Sequence, residues 1–262
     1  MAASGIITLL TDFGVDSPYV AEMKGAILSV FRRATIIDLT HSVAPQNIRQ
    51  GAYLLERTYR SFPHGTVHVG VVDPGVGSQR KIIAAEIAGQ IFVLPDNGLI
   101  TVVAGSLAAT QLREVSNPQL WRGAVSATFH GRDVMGPVGA YLAAGGDFAE
   151  VGPLLEAMTR FDLPAVSRSG GTIDGQVLYA DSLGNLVTNV TRGDLADQVI
   201  TSIHIEGRDV GPLALTYSER SEGSPIALWG SSGQLEISIV GGNANTWMGG
   251  AFAWRVTIEV KS

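Results

Sequence analysis

Short apolar runs alternate with segments of helical periodicity in the first part of the chain. The run 6–10 is followed by a helical pattern that opens at Ser17-Pro18, which supplies an N-cap and a proline in the first turn. A second run, 35–39, precedes apolar positions at helical spacing from Ile48 onward, and a third run covers 67–72. Strands that alternate with helices predict a mostly parallel sheet covered on both faces, with ligands at the carboxyl ends of its strands.

The sequence changes character after residue 165. Residues 167–171 are rich in serine and glycine and predict a turn-rich linker. Further on, six short β-type runs are separated by glycine-containing turns, with little helical periodicity. We therefore predict an α/β protein with two domains, a mostly parallel α/β domain over 1–165 and a smaller all-β barrel or sandwich over 172–262. The six β-type runs are 176–179, 186–190, 200–205, 226–229, 235–239 and 254–260.

The chain contains no cysteine, which excludes disulfides, thiolate zinc sites and a cysteine nucleophile and favours a cytoplasmic location. Residues 1–5 lack a basic segment and Asp12 interrupts the first apolar run, so the sequence predicts no signal peptide. The uncharged stretch 237–254 is rich in glycine, asparagine, threonine and serine, which hydrocarbon does not accept. We therefore predict no membrane span.

The charge balance argues against nucleic acid as a partner. A net charge of −6 disfavours a surface that binds phosphate backbones, because such a surface needs clustered lysine and arginine. Charged residues make up 16% of the chain, whereas an ordinary soluble domain has about 25%. This low fraction indicates that part of the surface is hidden in a subunit interface, so we predict an oligomer.

Two acidic residues follow predicted strands in the N-terminal domain. Asp12 follows the first strand and can accept two hydrogen bonds from a vicinal diol such as ribose, although the local sequence favours a turn or helix-capping aspartate. Asp73 follows the third strand and, with Arg80, brackets a glycine-rich turn. The alternative for this pair is a turn-stabilising ion pair, which contributes only about 0 to 1 kcal/mol when exposed.

A histidine follows another apolar run. His130 closes the run 124–129, which places it at a third predicted strand end, and Asp133 is positioned to cap the next helix. A lone histidine is more often structural than catalytic, and the other four histidines lack the spacing of a metal site. We predict no catalytic metal. The sequence also lacks the nucleophile elbow of serine hydrolases and the Walker lysine motif.

The candidate polar residues of the C-terminal domain lie in predicted turns. Residues 181–189 are typical of a turn between strands, although an asparagine amide can also read the edge of adenine through its adjacent donor and acceptor. Residues 231–236 are typical of a hairpin turn. Taken separately, these segments do not identify a function.

Seven short motifs, taken together and in this order, are more informative. The chain resembles the SAM (S-adenosylmethionine) hydroxide adenosyltransferases, relatives of the fluorinase and chlorinase that make halogenated adenosines, over nearly its whole length. The motifs are Thr11-Asp12-Phe13-Gly14, Asp38-Leu39-Thr40-His41, Val72-Asp73-Pro74-Gly75-Val76-Gly77, Pro95-Asp96-Asn97-Gly98-Leu99, Phe129-His130-Gly131-Arg132-Asp133, Gly184-Asn185 and Leu235-Glu236-Ile237.

The resemblance implies hydrolysis of SAM at C5′, with water or hydroxide as the nucleophile and adenosine and methionine as the products. SAM is then the substrate, and no separate cofactor is expected. The resemblance also implies a homotrimer in which SAM binds where the N-terminal domain of one subunit meets the C-terminal domain of its neighbour. Two other functions stay open at this point: a SAM-dependent chlorinase and a SAM-binding sensor without catalysis.

The resemblance assigns roles to individual residues. Asp12 is expected to hold the ribose hydroxyls, and Asn185 is expected to face adenine. Asp181 and Ser231 are expected to hold the amino and carboxylate ends of methionine. The remaining matches are Asp73, Arg80 and His130, which correspond to the set associated with hydroxide transfer, and Tyr217 and Glu236, around which the spacing drifts.

Two positions depart from the halogenating relatives. Those relatives carry an aromatic hydroxyl where Asp73 stands, and an aspartate repels a halide, so hydroxide is the better nucleophile for this chain. Gln46 stands where the fluorinase has a large aromatic residue. A stacking role is therefore not expected at Gln46.

Overall fold

The computed structural model describes residues 3–105, 107, 109–195, 198–250 and 253–261. Residues 1–2, which belong to the segment predicted to hold no signal peptide, lie outside these ranges. Residues 251–252, which belong to the segment predicted not to span a membrane, also lie outside them. The chain divides into two compact units, residues 1–161 and 162–262. Within the described part of the chain, no helix has the length and apolar character needed to cross a membrane.

Among the described residues of the N-terminal unit, six strands form one sheet. They are β1 (Ile6–Thr11), β2 (Thr35–Thr40), β3 (Val67–Val71), β4 (Ile82–Ile87), β5 (Gln90–Pro95) and β6 (Gln111–Glu114). Their order is β2-β1-β3-β5-β4-β6. β1 pairs in parallel with β2 and β3, and β3 pairs in parallel with β5, whereas β4 runs antiparallel to β5 and β6. The predicted mostly parallel sheet is confirmed.

Helices cover both faces of this sheet. Ser17 accepts a hydrogen bond from the backbone N–H of Tyr19 and begins the first helix, as predicted. The first and fourth helices pack in one apolar cluster with β1 and β3, and the second and third helices pack in another cluster with β4 and β5. The helices are α1 (Pro18–Val30), α2 (Ile48–Tyr59), α3 (Thr101–Ala104) and α4 (Gly136–Ala143), with a π-helical turn over Gly131–Met135 and 3-10 turns over Pro118–Leu120 and Phe148–Val151.

The C-terminal unit is mostly sheet. Its described strands are β7 (Ser167–Ser169), β8 (Thr172–Ala180), β9 (Leu186–Thr191), β10 (Val199–Ile205), β11 (Arg208–Gly211), β12 (Leu213–Ala214), β13 (Pro225–Trp229), β14 (Gln234–Ile239) and β15 (Arg255–Lys261), with α5 (Ala244–Trp247) and 3-10 turns over Arg192–Leu195 and Tyr217–Glu219. The strand order is β11-β10-β15-β8-β9-β14-β13-β12, with β7 paired to β8. β11 packs near β13 and β10 near β12, so the sheet is nearly closed. The predicted β fold is confirmed.

Two predictions of local structure are wrong. The supposed linker 167–171 is a hairpin: β7 pairs with β8, and Gly170 and Gly171 form the turn with φ of 54° and 89°. The apolar run 124–129 is not a strand but a loop, most of whose residues are exposed. His130 therefore lies at the N-terminus of the π-helical turn and not at a strand end. Apolar character alone did not distinguish an exposed loop from a buried strand.

Candidate active site

A cavity of about 280 Å³ lies in the N-terminal unit where β1 and β3 end. Ligands of parallel sheets bind at this edge. Three sequence motifs, around Asp12, Asp73 and His130, contribute to its wall. The residues that line the cavity are Asp12, Phe13, Gln46, Val71, Asp73, Pro74, Val76, Thr128, Phe129, His130 and Gly131.

Asp12 follows β1 in a loop that is held by its neighbours. Its Oδ2 accepts a hydrogen bond from the backbone N–H of Gln46 at 2.8 Å. Gln46 adopts a φ of 63°, which is uncommon for a residue other than glycine, and its backbone N–H is the group that contacts Asp12. Within the described residues no hydrogen bond reaches Oδ1 of Asp12. That oxygen remains an acceptor in the cavity wall.

The motif Asp38–His41 supports this loop and does not line the cavity. The carbonyl of His41 accepts a hydrogen bond from Gly14 N–H at 2.8 Å, and its Nδ1 lies 2.9 Å from Thr11 Oγ1. The other ring nitrogen of His41 lies 3.0 Å from Asp38 Oδ1. His41 is buried. Because of these contacts, it fixes the strand end from which Asp12 projects. The sequence motif by itself did not indicate that role.

Asp73, which lines the cavity, forms an ion pair with Arg80. Arg80 Nε donates to Asp73 Oδ1 at 2.9 Å and to Oδ2 at 3.0 Å, and Nη2 also donates to Oδ2. The side chains of Asp73 and Arg80 are 4% and 10% exposed, respectively, so this is a nearly buried pair and not the exposed turn pair of the alternative interpretation. Mutual neutralisation leaves little net charge to attract an anion such as chloride.

His130 joins the pair through Arg80. Arg80 Nη2 lies 3.0 Å from His130 Nδ1. Because a guanidinium has only donors, Nδ1 must be the acceptor, and the neutral ring then carries its proton on Nε2. Burial and the adjacent charge of Arg80 lower the pKa of His130 below 6.5, which agrees with a neutral ring. The structure therefore brings together all three residues predicted for hydroxide transfer.

Gly77 allows the two cavity loops to approach each other. It has a φ of 77°, and a Cβ at this position would collide with the carbonyl oxygen of Ala127. Ala127 belongs to the loop that leads into His130. Only glycine therefore permits the loop after Asp73 to pack against the loop before His130.

Asp133 does not cap the following helix, so that prediction is wrong. Its carboxylate is fully buried and accepts hydrogen bonds from Ser126 N–H at 2.8 Å and from Arg132 Nε at 2.7 Å. Burial raises the pKa of Asp133, but the hydrogen bonds from Arg132 and Ser126 lower it by more. The pKa of Asp133 therefore lies below its ordinary value. Asp133 thus fixes the loop over the cavity through Ser126.

The predicted residues of the C-terminal unit fall into separate places. Asp181 and Asn185 lie in the turn between β8 and β9 and bond to each other, with Asn185 Nδ2 donating to Asp181 Oδ2 at 3.0 Å. Asp181 Oδ1 accepts from the backbone N–H of Leu183 and of Asn185, each at 2.9 Å. The predicted turn is confirmed, and both carboxylate oxygens of Asp181 take part in it.

Ser231 lies in a different turn, between β13 and β14. The start of β9 is opposite Ile237 of β14, and its end is opposite Gln234. The turn with Asp181 precedes β9 and the turn with Ser231 precedes β14, so the two turns lie at opposite ends of this strand pair. A bulge shortens the pair, and the distance from Gln234 to Ile237 along β14 is about 10 Å.

The last two predicted contacts differ in burial. Glu236 is buried in β14, and its carboxylate packs directly against Gly230 in the turn before that strand. Tyr217 is 43% exposed in a 3-10 turn. In the part of the chain that the structure describes, no group of three or more histidine, aspartate and glutamate side chains is arranged to hold a metal ion.

Comparison with known proteins covers nearly the whole chain. Residues 7–152 match the SAM hydroxide adenosyltransferase N-terminal domain, and residues 175–256 match the C-terminal domain of the same family. The (R)-S-adenosyl-L-methionine hydrolase of Salinispora arenicola is 36% identical over 248 residues, 93% of this chain and 94% of that protein. A fluorinase of an Actinoplanes species is 30% identical over 276 residues, 91% of this chain and 92% of that protein.

A solved structure is similar in fold as well. The crystal structure of a conserved protein from Thermotoga maritima matches with a TM-score of 0.89 and 32% sequence identity, and it covers 96% of this chain and 99% of that one. The match includes both units, because the uncovered part of the chain is smaller than either unit.

Proposed function

The chain belongs to the SAM hydroxide adenosyltransferase family, and from that premise we propose that it hydrolyses SAM at C5′ to adenosine and methionine. The relatives named (R)-S-adenosyl-L-methionine hydrolase, at 34% to 36% identity, support an enzyme of this type. The observation that carries the proposal is that Arg80 joins two residues of the cavity wall, Asp73 and neutral His130.

The reaction needs alignment more than activation. The oxygen of water forms a bond to C5′ while the C5′–sulfur bond breaks and its electron pair returns to sulfur, which leaves as the neutral thioether of methionine. The sulfonium is already a good leaving group. Holding the oxygen in line with the breaking bond contributes several kcal/mol, up to about 7 to 11 in well-oriented intramolecular models.

In this proposal Asp73, Arg80 and His130 have different roles. Arg80 keeps N–H donors beyond those that bind Asp73, and His130 keeps Nε2–H, so both can donate to the attacking oxygen. Asp73 holds Arg80 in place and accepts or relays the proton that water loses, since a carboxylate oxygen has lone pairs to spare. The near neutrality of the Asp73–Arg80 pair favours water over a halide.

The substrate contacts are also proposals. Asp12 Oδ1 is the free acceptor for the ribose diol, and Asn185 Oδ1 is a further acceptor at the β8–β9 turn for adenine. Asp181 is proposed to contact the amino group of methionine from the same turn. Ser231, Tyr217 and Glu236 stay predictions from the sequence, as does a cytoplasmic location.

The function is tested by incubating the protein with SAM in water enriched in heavy oxygen and in high chloride. We expect adenosine with one heavy oxygen at C5′ and no 5′-chloroadenosine. Formation of 5′-chloroadenosine would identify a chlorinase instead. Tight binding of SAM without any product would identify a sensor, and either result would reject the proposed hydrolysis.

Asp12→Ala is expected to weaken SAM binding more than it slows turnover of bound SAM. The ribose diol is held in both the ground state and the transition state, so its loss raises KM with a smaller change in kcat. Calorimetric titration of SAM measures the affinity directly. Unchanged affinity in a folded variant would remove Asp12 from the substrate site.

We propose a homotrimer whose sites combine residues from the N-terminal unit of one subunit and the C-terminal unit of its neighbour. The low charged fraction of 16% supports an extensive subunit interface. Mixing subunits that carry Asp12→Ala with subunits that carry Asn185→Ala is expected to restore some activity, because some sites then contain neither change. An active monomer in light scattering would contradict this assembly.

A further inference from the structure

The turn after β5 holds both ends of the loop that carries Asp73 and Arg80. At the start of the loop, Asn97 Nδ2 donates to the carbonyl of Val72 at 2.9 Å. At its end, the backbone N–H of Asp96 donates to the carbonyl of Lys81 at 2.9 Å. Consecutive residues of one turn therefore fix the peptides on either side of the loop 73–80.

The carbonyl of Val72 depends on Asn97. β3 ends at Val71, and the parallel pairing with β5 reaches only Val69, so Val72 lies past the strand ladder. Val72 is fully buried, and a buried carbonyl needs a hydrogen-bond partner. The side chain of Asn97 supplies that partner at the peptide bond that leads directly into Asp73.

Asn97 is itself held rigidly. Its Oδ1 accepts from the backbone N–H of Leu99 at 3.2 Å, and its backbone N–H donates to Pro95 O at 2.9 Å. Leu99 is fully buried and packs against Gly51 and Gly70, where no larger side chain fits without movement. The amide of Asn97 is therefore a fixed donor and not a mobile one.

We propose that Asn97 is a positioning residue for the hydrolysis of SAM: by holding the Val72 carbonyl, it sets the direction in which Asp73 leaves β3 and so keeps Arg80 against His130. The proposal rests on the proposed function of this site. The contacts run from Asn97 to Val72 and then from Asp73 through Arg80 to His130. Misplacement of catalytic groups by about 1 Å can cost about 100-fold in rate.

Asn97→Asp tests the proposal with little change in shape. The variant keeps the acceptor for Leu99 N–H but replaces the donor with an oxygen that repels the Val72 carbonyl. We expect kcat for SAM to fall by about tenfold to 100-fold, with KM changed by less than about threefold. We also expect the pKa of His130, followed by NMR, to rise toward 6.5 as Arg80 moves away.

Asn117→Asp is the matched control. Asn117 makes the same pair of bonds in the same unit, with Nδ2 donating to Glu150 O at 2.7 Å and Oδ1 accepting from Gln119 N–H at 3.1 Å, and it does not line the cavity. We expect it to leave both kcat and the His130 titration unchanged. The comparison separates positioning from the general cost of losing an asparagine bridge.

Parent values of kcat and of the His130 pKa in folded Asn97→Asp would overturn the proposal, even if the melting temperature falls. If Asn97→Asp fails to fold, Asn97→Ala, which removes the donor without adding a charge, is judged by the same two measurements. If the parent protein makes no adenosine from SAM, the proposed function fails. The His130 titration still decides whether Asn97 positions the Asp73–Arg80 pair.

Discussion

Asp73→Asn is expected to lower turnover of SAM by about 100-fold or more while leaving SAM binding largely intact. The carboxylate accepts three hydrogen bonds from Arg80. Among Asp73, Arg80 and His130, Asp73 alone carries a negative charge, and this charge can take up a proton. Asparagine has nearly the same shape as aspartate, but an NH2 group replaces one of the two carboxylate oxygens. That group is a donor and faces the donors of Arg80. A lost acid or base typically costs this much in rate.

Single-turnover measurements with saturating SAM test the Asp73 prediction, and calorimetry gives the affinity separately. Asp174→Asn is the matched control, because Asp174 also pairs with an arginine, Arg255, at 2.9 Å, but lies in the other unit and does not line the cavity. We expect the control to turn over at the parent rate. If Asp73→Asn also turns over like the parent, the assignment of Asp73 to the chemistry is wrong.

Asp133→Asn is expected to reduce the free energy of unfolding by about 3 kcal/mol. Removal of one partner from a buried ion pair typically costs about 3 to 5 kcal/mol, because the other charge loses its compensation. We place the value at the lower end, since Arg132 keeps a second carboxylate, Glu22, at 2.6 Å. The neutral amide of the variant would also be a poorer acceptor for the Ser126 N–H that holds the cavity loop.

Urea denaturation measures the Asp133 effect, provided that the slope against denaturant is unchanged. Glu56→Gln removes an exposed partner of Arg60, at 3.2 Å, and serves as the control for loss of an acid without burial. We expect it to change stability by no more than about 0.5 kcal/mol. An equally small effect at Asp133 would show that its buried contacts contribute little to the fold.

The contacts among the residues proposed for catalysis show what sequence and structure each contribute. The sequence identified Asp73, Arg80 and His130 as members of one set only through the resemblance to a family, and local patterns left each of them with a structural alternative. The contact from Arg80 to His130 joins residues 50 positions apart. No local period or turn signal records such a contact, because it depends on how two loops pack.

The placement of Ser231 shows what a list of motifs leaves out. The resemblance assigns Asp181 and Ser231 to one methionine, and the antiparallel register puts their turns at opposite ends of the β9–β14 pair. Register is set by side-chain packing on both faces of the sheet and by the bulge between Gln234 and Glu236, neither of which a list of motifs contains.

By itself the sequence determined the alternation of strands and helices, the N-cap at Ser17 and the β-rich second half. These follow from the period of apolar residues and from hydrogen bonds between near neighbours. Only the tertiary structure decided that the apolar run 124–129 is a loop over the cavity, that His130 is a neutral acceptor, and that Asn97 holds the peptide before Asp73. Those facts depend on burial and on contacts between residues that are distant in the sequence. The order of residues along the chain does not show either of them directly.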